Sequence, residues 1–228
     1  MLLRLSSIAL LIAFAAFTPN TVVAQQYTNL LSSDLNHWTT PNGEAVTSGW
    51  QLEPGGILHL SGKGGNIISK ELYGDFELWF EFRISTKGNS GIKYRVQNYD
   101  KSLLGLEYQV LDDAAYPKLS RSHLTASLYD LVELIPRETR LNELEEFNVG
   151  KIRVQGNRTQ HWINGQLTID QTLAGSDWKS IVANSKFKDR ENFGENHSGH
   201  LMLTDHNSEV WFKNMFVRRL DTVQCRPN

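Results

Sequence analysis

From Phe76 to Ile84 the chain reads Phe-Glu-Leu-Trp-Phe-Glu-Phe-Arg-Ile, and its side chains alternate between two environments. Phe76, Leu78, Phe80, Phe82 and Ile84 fall on one face, with Glu77, Glu81 and Arg83 on the other. A period of two is the signature of a strand with one side buried and the other wet. Residues 90–97, 106–111, 147–154, 159–164 and 166–171 read the same way. Residues 56–60 and 65–69 are short apolar runs bounded by glycines, and residues 200–204 and 210–217 supply the last strands. Asn164-Gly165, set between two such runs, predicts a tight hairpin. Residues 131–144 carry leucines and charges, but Pro136 interrupts them, which predicts a loop or a single turn. Many short strands and few helices predict an all-β sandwich or jelly roll of two antiparallel sheets. Two long connections, residues 112–125 and 172–197, are candidate functional loops, because structureless loops of that length are uncommon in compact domains.

Residues 1–24 have the make-up of a secretory signal. Arg4 gives a short positive region, residues 8–17 form an apolar run, and Val22-Val23-Ala24 sets small residues before Gln25. That run is too short to span a bilayer, so cleavage after Ala24 and a periplasmic or secreted location are expected. No later stretch is apolar enough for a transmembrane helix. Of 228 residues, 228 − 24 = 204 would remain. That suits one β domain over residues 25–228, large enough to bury its own core. Cys225 is the sole cysteine, which excludes an intrachain disulfide. The formal charge of −2 becomes −2 − 1 = −3 without Arg4, so nothing electrostatic points to nucleic acid or an anionic membrane as partner. The sequence carries no signal for oligomeric state.

Standard catalytic signatures are absent: there is no G-x-S-x-G, no H-E-x-x-H, no phosphate-binding loop and no cysteine pair for zinc. Asp112-Asp113 is the one candidate for a divalent cation, Ca²⁺ by its oxygen donors, although adjacent carboxylates at a strand end are ordinarily loop residues. No cofactor and no metal ligand set is otherwise indicated. The alternation instead gives a list of polar side chains facing away from the core. Glu107 and Gln109 oppose Tyr108 and Val110, Lys93 and Arg95 oppose Ile92 and Tyr94, and Tyr129 opposes Leu128. His200, Met202, Thr204 and His206 oppose the leucines between them if that strand stays regular. If these strands are neighbours, Arg95, Glu107, Gln109, Tyr129 and His206 converge on one face. Each face alone could be merely solvated, as antiparallel sheets commonly are on one side. A cation, a carboxylate, an amide, a phenol and an imidazole together are harder to dismiss.

Several stretches, taken in order, resemble the 3-keto-disaccharide hydrolase domain family, a concanavalin-like (lectin-like) jelly roll found largely in exported bacterial proteins. They include Gly74-Asp75-Phe76-Glu77-Leu78, Gly88-Asn89-Ser90-Gly91-Ile92, Glu107-Tyr108-Gln109-Val110-Leu111-Asp112, Thr125-Ala126-Ser127-Leu128-Tyr129 and His161-Trp162-Ile163-Asn164-Gly165. Ser185-Lys186-Phe187, Phe193-Gly194 and Gly199 through His206, followed by Val210-Trp211-Phe212-Lys213-Asn214, complete the match. Three positions depart: the family's Leu-Gln-Asp-His-Gly is Leu203-Thr204-Asp205-His206-Asn207 here, and Phe147 stands for a usual Trp. The resemblance implies a carbohydrate substrate, a glycoside already oxidised to a ketone at C3. It would be cleaved by abstraction of the C2 proton, elimination at C1 and hydration, rather than by a pair of carboxylates flanking the bond. It implies His206, paired with Asp205, as base, with Glu107 as the alternative base or acid. Arg95 and Lys186 would steady the enolate. Gln109, Tyr129, Asn148 and Asn89 would contact the sugar, while His161, beside the Asn164-Gly165 turn, is a sugar contact or, with more weight, a structural residue. The same fold could instead serve a non-catalytic carbohydrate-binding module, since fold does not fix function.

Overall fold

The computed structural model describes residues 26–135 and 141–220; residues 1–24, Pro136 and Cys225 lie outside the described residues. Among the described residues the chain forms β1 (Thr28–Asn29), β2 (Trp38–Thr39), β3 (Trp50–Glu53), β4 (Ile57–Leu60), β5 (Ile67–Tyr73) and β6 (Phe76–Ile84). Next come β7 (Asn89–Tyr99), β8 (Ser102–Leu111), β9 (Asn148–Gln155), β10 (Arg158–Ile163) and β11 (Gln166–Thr172). The helix α1 (Gly175–Ala183) then precedes β12 (Gly199–Leu203) and β13 (Val210–Arg219). The strands make two antiparallel sheets. The larger runs β11-β10-β9-β6-β13-β4-β3, with β1 added beside β13; the smaller runs β2-β5-β12-β7-β8. The expected all-β sandwich of two antiparallel sheets is therefore the fold.

The alternation in β6 explains how the sheets meet. Phe76, Leu78, Phe80 and Phe82 are all buried, and they pack on the inward tyrosines of the smaller sheet. The Phe80 and Tyr108 rings meet edge-on at 5.1 Å, and Phe76 meets Tyr94 at 6.1 Å. Burying each such side chain contributes roughly 1.5–3 kcal/mol, and edge-to-face pairs add about 0.5–1.5 kcal/mol. The tyrosine hydroxyls need partners in this dry layer. Tyr94 Oη shares hydrogen bonds with Thr159 Oγ1 and His161 Nε2, at 2.7 and 2.9 Å, and Tyr108 Oη donates to Trp162 O at 3.0 Å.

Within the long connection at residues 172–197 the chain forms α1, an element that periodicity does not predict. The helix has only nine residues, its N-cap is Ala174 and no side chain caps it. It is held by tertiary contact, with Trp178 wholly buried and its indole N–H donating to Phe193 O at 2.9 Å. The other long connection, at residues 112–125, holds two short 3₁₀ turns, Asp113–Ala115 and Arg121–His123.

Candidate active site

The outer face of the smaller sheet gathers the polar side chains. Asn89, Gly91 and Lys93 of β7 lie opposite Leu111, Gln109 and Glu107 of β8. Their neighbours in sequence, Ile92, Tyr94, Leu106, Tyr108 and Val110, all enter the core, so this row points outward. Beyond β8 a short segment extends the sheet. Ala126 N–H donates to Gln109 O at 2.9 Å and Tyr129 N–H donates to Glu107 O at 3.0 Å, which brings the Tyr129 side chain beside Glu107. Asp130 then holds a second loop against this segment. Its carboxylate accepts the Lys186 backbone N–H at 2.7 Å and lies 3.0 Å from His123 Nε2. Lys186 Nζ comes to rest 4.0 Å from the centre of the Tyr129 ring.

At the middle of this row Glu107 is only 4 % exposed. Room for its carboxylate exists because position 91 carries no side chain; a β-carbon there would overlap Glu107 Oε1. Lys93 Nζ lies 3.8 Å from Glu107 Oε2. His206 arrives from the end of β12, where Thr204 N–H donates to Gly91 O at 3.0 Å and Ser90 Oγ donates to Thr204 O at 2.8 Å. His206 is exposed as a residue, yet enough protein crowds its ring that lost hydration is the largest influence on it and lowers its pKa. Glu107 pulls that pKa back up, Lys93 pushes it down, and Asp205 and Lys186 act more weakly in opposite directions. Desolvation also lowers the Lys186 pKa, opposed by Glu107 and Asp130. It raises that of Tyr129, and Glu107 and Asp130 reinforce the rise. A carboxylate, an imidazole, two ammoniums and a phenol thus feel one another's charge. Gln109 and Asn89 border them, with Gln109 Nε2 donating to Asn89 Oδ1 at 3.2 Å.

Arg95, Asp205, Asn148 and His161 do not join this cluster as the sequence reading expects. Arg95 is a bulge residue with φ 50°, in the register shift between Tyr94 and Gln97. The bulge swings its guanidinium off the outer face, where Val96 packs with Ile68 and Met202 instead. Arg95 is 1 % exposed; Nη2 donates to Gly156 O at 2.8 Å and lies 3.5 Å from Asp75. Asp205 does not orient His206 by a hydrogen bond. Its carboxylate accepts from Gly64 N, Gly65 N and Asn207 N at 2.9, 2.8 and 2.7 Å, fixing a turn. Asn148 belongs to the other sheet, where Oδ1 accepts from Asn142 N and Asn164 Nδ2, both at 2.8 Å. His161 is fully buried between the sheets with Tyr94, and burial lowers its pKa to about 3, so it cannot touch a sugar. Lys93 replaces Arg95 as the cation beside Glu107. The alternation already places Lys93 on the polar face; what it cannot show is a bulge two residues later. Gly91 and the His123–Asp130 brace have no sequence signal beyond the residues themselves.

The carboxylates proposed for a cation are engaged internally. Asp112 accepts the Lys87 N–H at 2.7 Å, and Asp113 accepts both the N–H and the hydroxyl of Thr125, each at 2.9 Å. Among the described residues no group of three or more His, Cys, Asp or Glu is placed to hold a metal. No helix among them is long and apolar enough to cross a membrane.

Comparison with known proteins places the chain in a family. The family model described as the 3-keto-alpha-glucoside-1,2-lyase-like domain matches residues 26–218. A protein of Bacteroides thetaiotaomicron named 3-keto-disaccharide hydrolase is 30 % identical over 220 residues, covering 82 % of this chain and 75 % of its own. A solved structure from Parabacteroides distasonis, described as a candidate glycosyl hydrolase, is 28 % identical with a TM-score of 0.75, covering 86 % of this chain and 94 % of its own. A second from the same organism, with the same description, shares the fold at TM-score 0.70 and 19 % identity, covering 86 % of this chain and 100 % of its own. By the extent of the family match and the identity to the Bacteroides protein, the chain belongs to the 3-keto-alpha-glucoside-1,2-lyase-like domain family.

Proposed function

We propose that the protein cleaves glycosides carrying a ketone at C3, working on the outer face of the smaller sheet. The observation that carries this reading is the Glu107 carboxylate seated over Gly91, 3.8 Å from Lys93 Nζ and within the electrostatic reach of His206 and Lys186. A base, a proton donor and cations for a developing oxyanion are the groups that an elimination through an enolate requires. In that reaction the base takes the C2 proton, and the C–H electrons pass to the C3 carbonyl oxygen as an enolate. The enolate collapses, the C1–O bond breaks, and the departing oxygen takes a proton from the acid. Water then adds at C1 of the resulting enone and C2 regains a proton, so the net change is hydrolysis.

His206 is the first base, because its lowered pKa keeps the imidazole neutral and able to accept a proton near neutral pH. Glu107 is the second candidate, as base or as the acid for the leaving oxygen. Lys93 and Lys186 stabilise the enolate, and Gln109, Tyr129 and Asn89 receive sugar hydroxyls. The name of the Bacteroides relative supports the substrate class. The apolar run at residues 8–17 supports export to the periplasm or beyond. Incubation of the protein with a 3-keto-disaccharide, beside the unoxidised disaccharide, tests the reading. Release of free sugar from the ketone alone is expected; binding without turnover across pH and added divalent ions would reduce the protein to a carbohydrate-binding module.

A further inference from the structure

The outer face of the larger sheet carries a second built feature, on the opposite side of the sandwich from the proposed active site. Around a cavity of about 620 Å³ stand Tyr27, Trp79, Glu81, Val149, Asn214 and Phe216. That volume is in the range of small-molecule sites, which are roughly 300–1,000 Å³. The depression lies at the bulge of β13 between Lys213 and Phe216, where Asn214 takes φ 49°. Tyr27 and Trp79 are each 39 % exposed, a large aromatic area to leave in water.

Both rings are held rigidly. The Glu77 carboxylate, nearly buried, accepts the Tyr27 hydroxyl at 2.7 Å and the Trp79 indole N–H at 3.1 Å through the same oxygen. Arg218 lies 2.9 Å from that oxygen; burial pushes the Glu77 pKa up, but those two hydrogen bonds, Arg218 and Lys151 together outweigh it and leave the pKa lowered. Two rings fixed in place lose little conformational entropy on binding, which is how aromatic anchors achieve affinity cheaply. Among the described residues that line the cavity, Glu81 is the only charged one. Lys213 Nζ lies 3.1 Å from its Oε2, and Asn214 Nδ2 donates to its Oε1 at 2.6 Å. With that charge neutralised, the cavity makes no demand for an ionic ligand. It offers aromatic surface for C–H faces and the Asn214 carbonyl and Glu81 carboxylate edges for hydroxyls.

We infer that this cavity is a second saccharide site, which binds a neutral, unoxidised pyranose unit between Tyr27 and Trp79. It does not depend on the chemistry proposed for the other face. Calorimetric titration of the unaltered protein and of Glu107→Gln with maltohexaose, cellohexaose, laminarihexaose and chitohexaose tests it. At least one of the four is expected to bind. Trp79→Ala should weaken that binding at least tenfold, and Val149→Trp, which fills the cavity from an exposed strand position and leaves the core intact, should do the same. Glu107→Gln should bind as the unaltered protein does. Binding of none of the four, or binding indifferent to both cavity variants, would overturn the proposal. So would a change from dimer to monomer on Val149→Trp in sedimentation, which would assign the face to a second copy of the chain.

Discussion

Gly91 and Glu107 are a matched pair across β7 and β8: the missing side chain of one is the space occupied by the carboxylate of the other. A β-carbon at position 91 would overlap Glu107 Oε1 and lie 3.1 Å from its carboxyl carbon. The obstructed group is the far end of a flexible side chain, so the fold can accept the substitution. Gly91→Ala is expected to displace the carboxylate and lower kcat on a 3-keto-disaccharide by about ten- to a hundredfold, while leaving Tm close to that of the unaltered protein. Glu107→Gln should cost about 10²–10⁴-fold, the usual contribution of a positioned acid or base. Steady-state kinetics beside thermal melts check both, and an unchanged kcat in either variant removes Glu107 from the reaction.

The His206 environment sets the acid limb of the pH profile. Desolvation lowers its pKa, so the neutral base persists below the ordinary histidine value and kcat/KM should fall only at more acid pH. Glu107 raises that pKa and Lys93 lowers it, which fixes the sign of each variant's effect. Glu107→Gln should move the acid limb to lower pH in whatever activity survives, and Lys93→Met should move it to higher pH. His206→Ala should cost about 10²–10⁴-fold and abolish the limb. A limb that stays in place through all three changes belongs to another group.

His161 makes a separate prediction about stability. It is fully buried, and burial lowers its pKa to about 3. Between about pH 6.5 and that value the unfolded chain binds a proton that the folded chain refuses. Folding stability is therefore complete above the unfolded pKa and falls as pH drops below it, by about 1.4 kcal/mol per pH unit at most. His161→Gln should lower Tm at pH 7 through lost packing with Tyr94, yet show a shallower decline from pH 6.5 to 4. An equally steep decline in the variant would place the acid sensitivity elsewhere.

Arg95 tests the reassignment from site to scaffold. Its guanidinium is buried with Nε and Nη1 unpartnered, and Asp75 is the carboxylate within reach. Asp75 also accepts the Gly156 N–H at 2.8 Å. Removing Asp75 leaves the charge uncompensated, so Asp75→Ala should cost about 1–3 kcal/mol, below the usual figure for a wholly buried pair because Asp75 is partly exposed. Arg95→Met should be neutral or stabilising, with kcat unchanged. Urea denaturation with parallel kinetics reads both. A large fall in kcat for Arg95→Met at unchanged stability would return it to the active site.

The particular residues show where sequence reading ends. Strand β6 was legible to the residue, because five alternating apolar side chains admit one answer. Strands β7 to β13 were legible within a few residues, since each sends alternate apolar side chains into the core. Strands β1, β2 and β3 are two to four residues long and exist by pairing rather than by pattern. Helix α1 depends on burying Trp178, which no local signal announces. In the site, Glu107, Gln109 and Tyr129 follow from alternation, and Arg95 fails because one bulge shifts every later residue to the opposite face. The resemblance implies Asp205 as a partner for His206, whereas its oxygens serve the backbone of Gly64, Gly65 and Asn207.

Lys186 supplies the alkaline limb. Its ammonium lies over the Tyr129 ring and its pKa is lowered, chiefly by desolvation, with Glu107 and Asp130 opposing the shift. It therefore loses its proton at lower pH than an ordinary lysine, and the enolate loses a cation when it does. With His206 required neutral and Lys186 required charged, kcat/KM should be bell-shaped. Because the enolate charge exists only beyond the ground state, Lys186→Met should lower kcat by about 10²–10³-fold with little change in KM. Lys186→Arg keeps the charge at all accessible pH. It should recover part of kcat and push the alkaline limb out of range, whereas Lys93→Arg should leave that limb where it is. Recovery of kcat in Lys186→Arg without movement of the limb would assign the alkaline ionisation to another group, and a rise in KM without loss of kcat would make Lys186 a substrate-binding residue only.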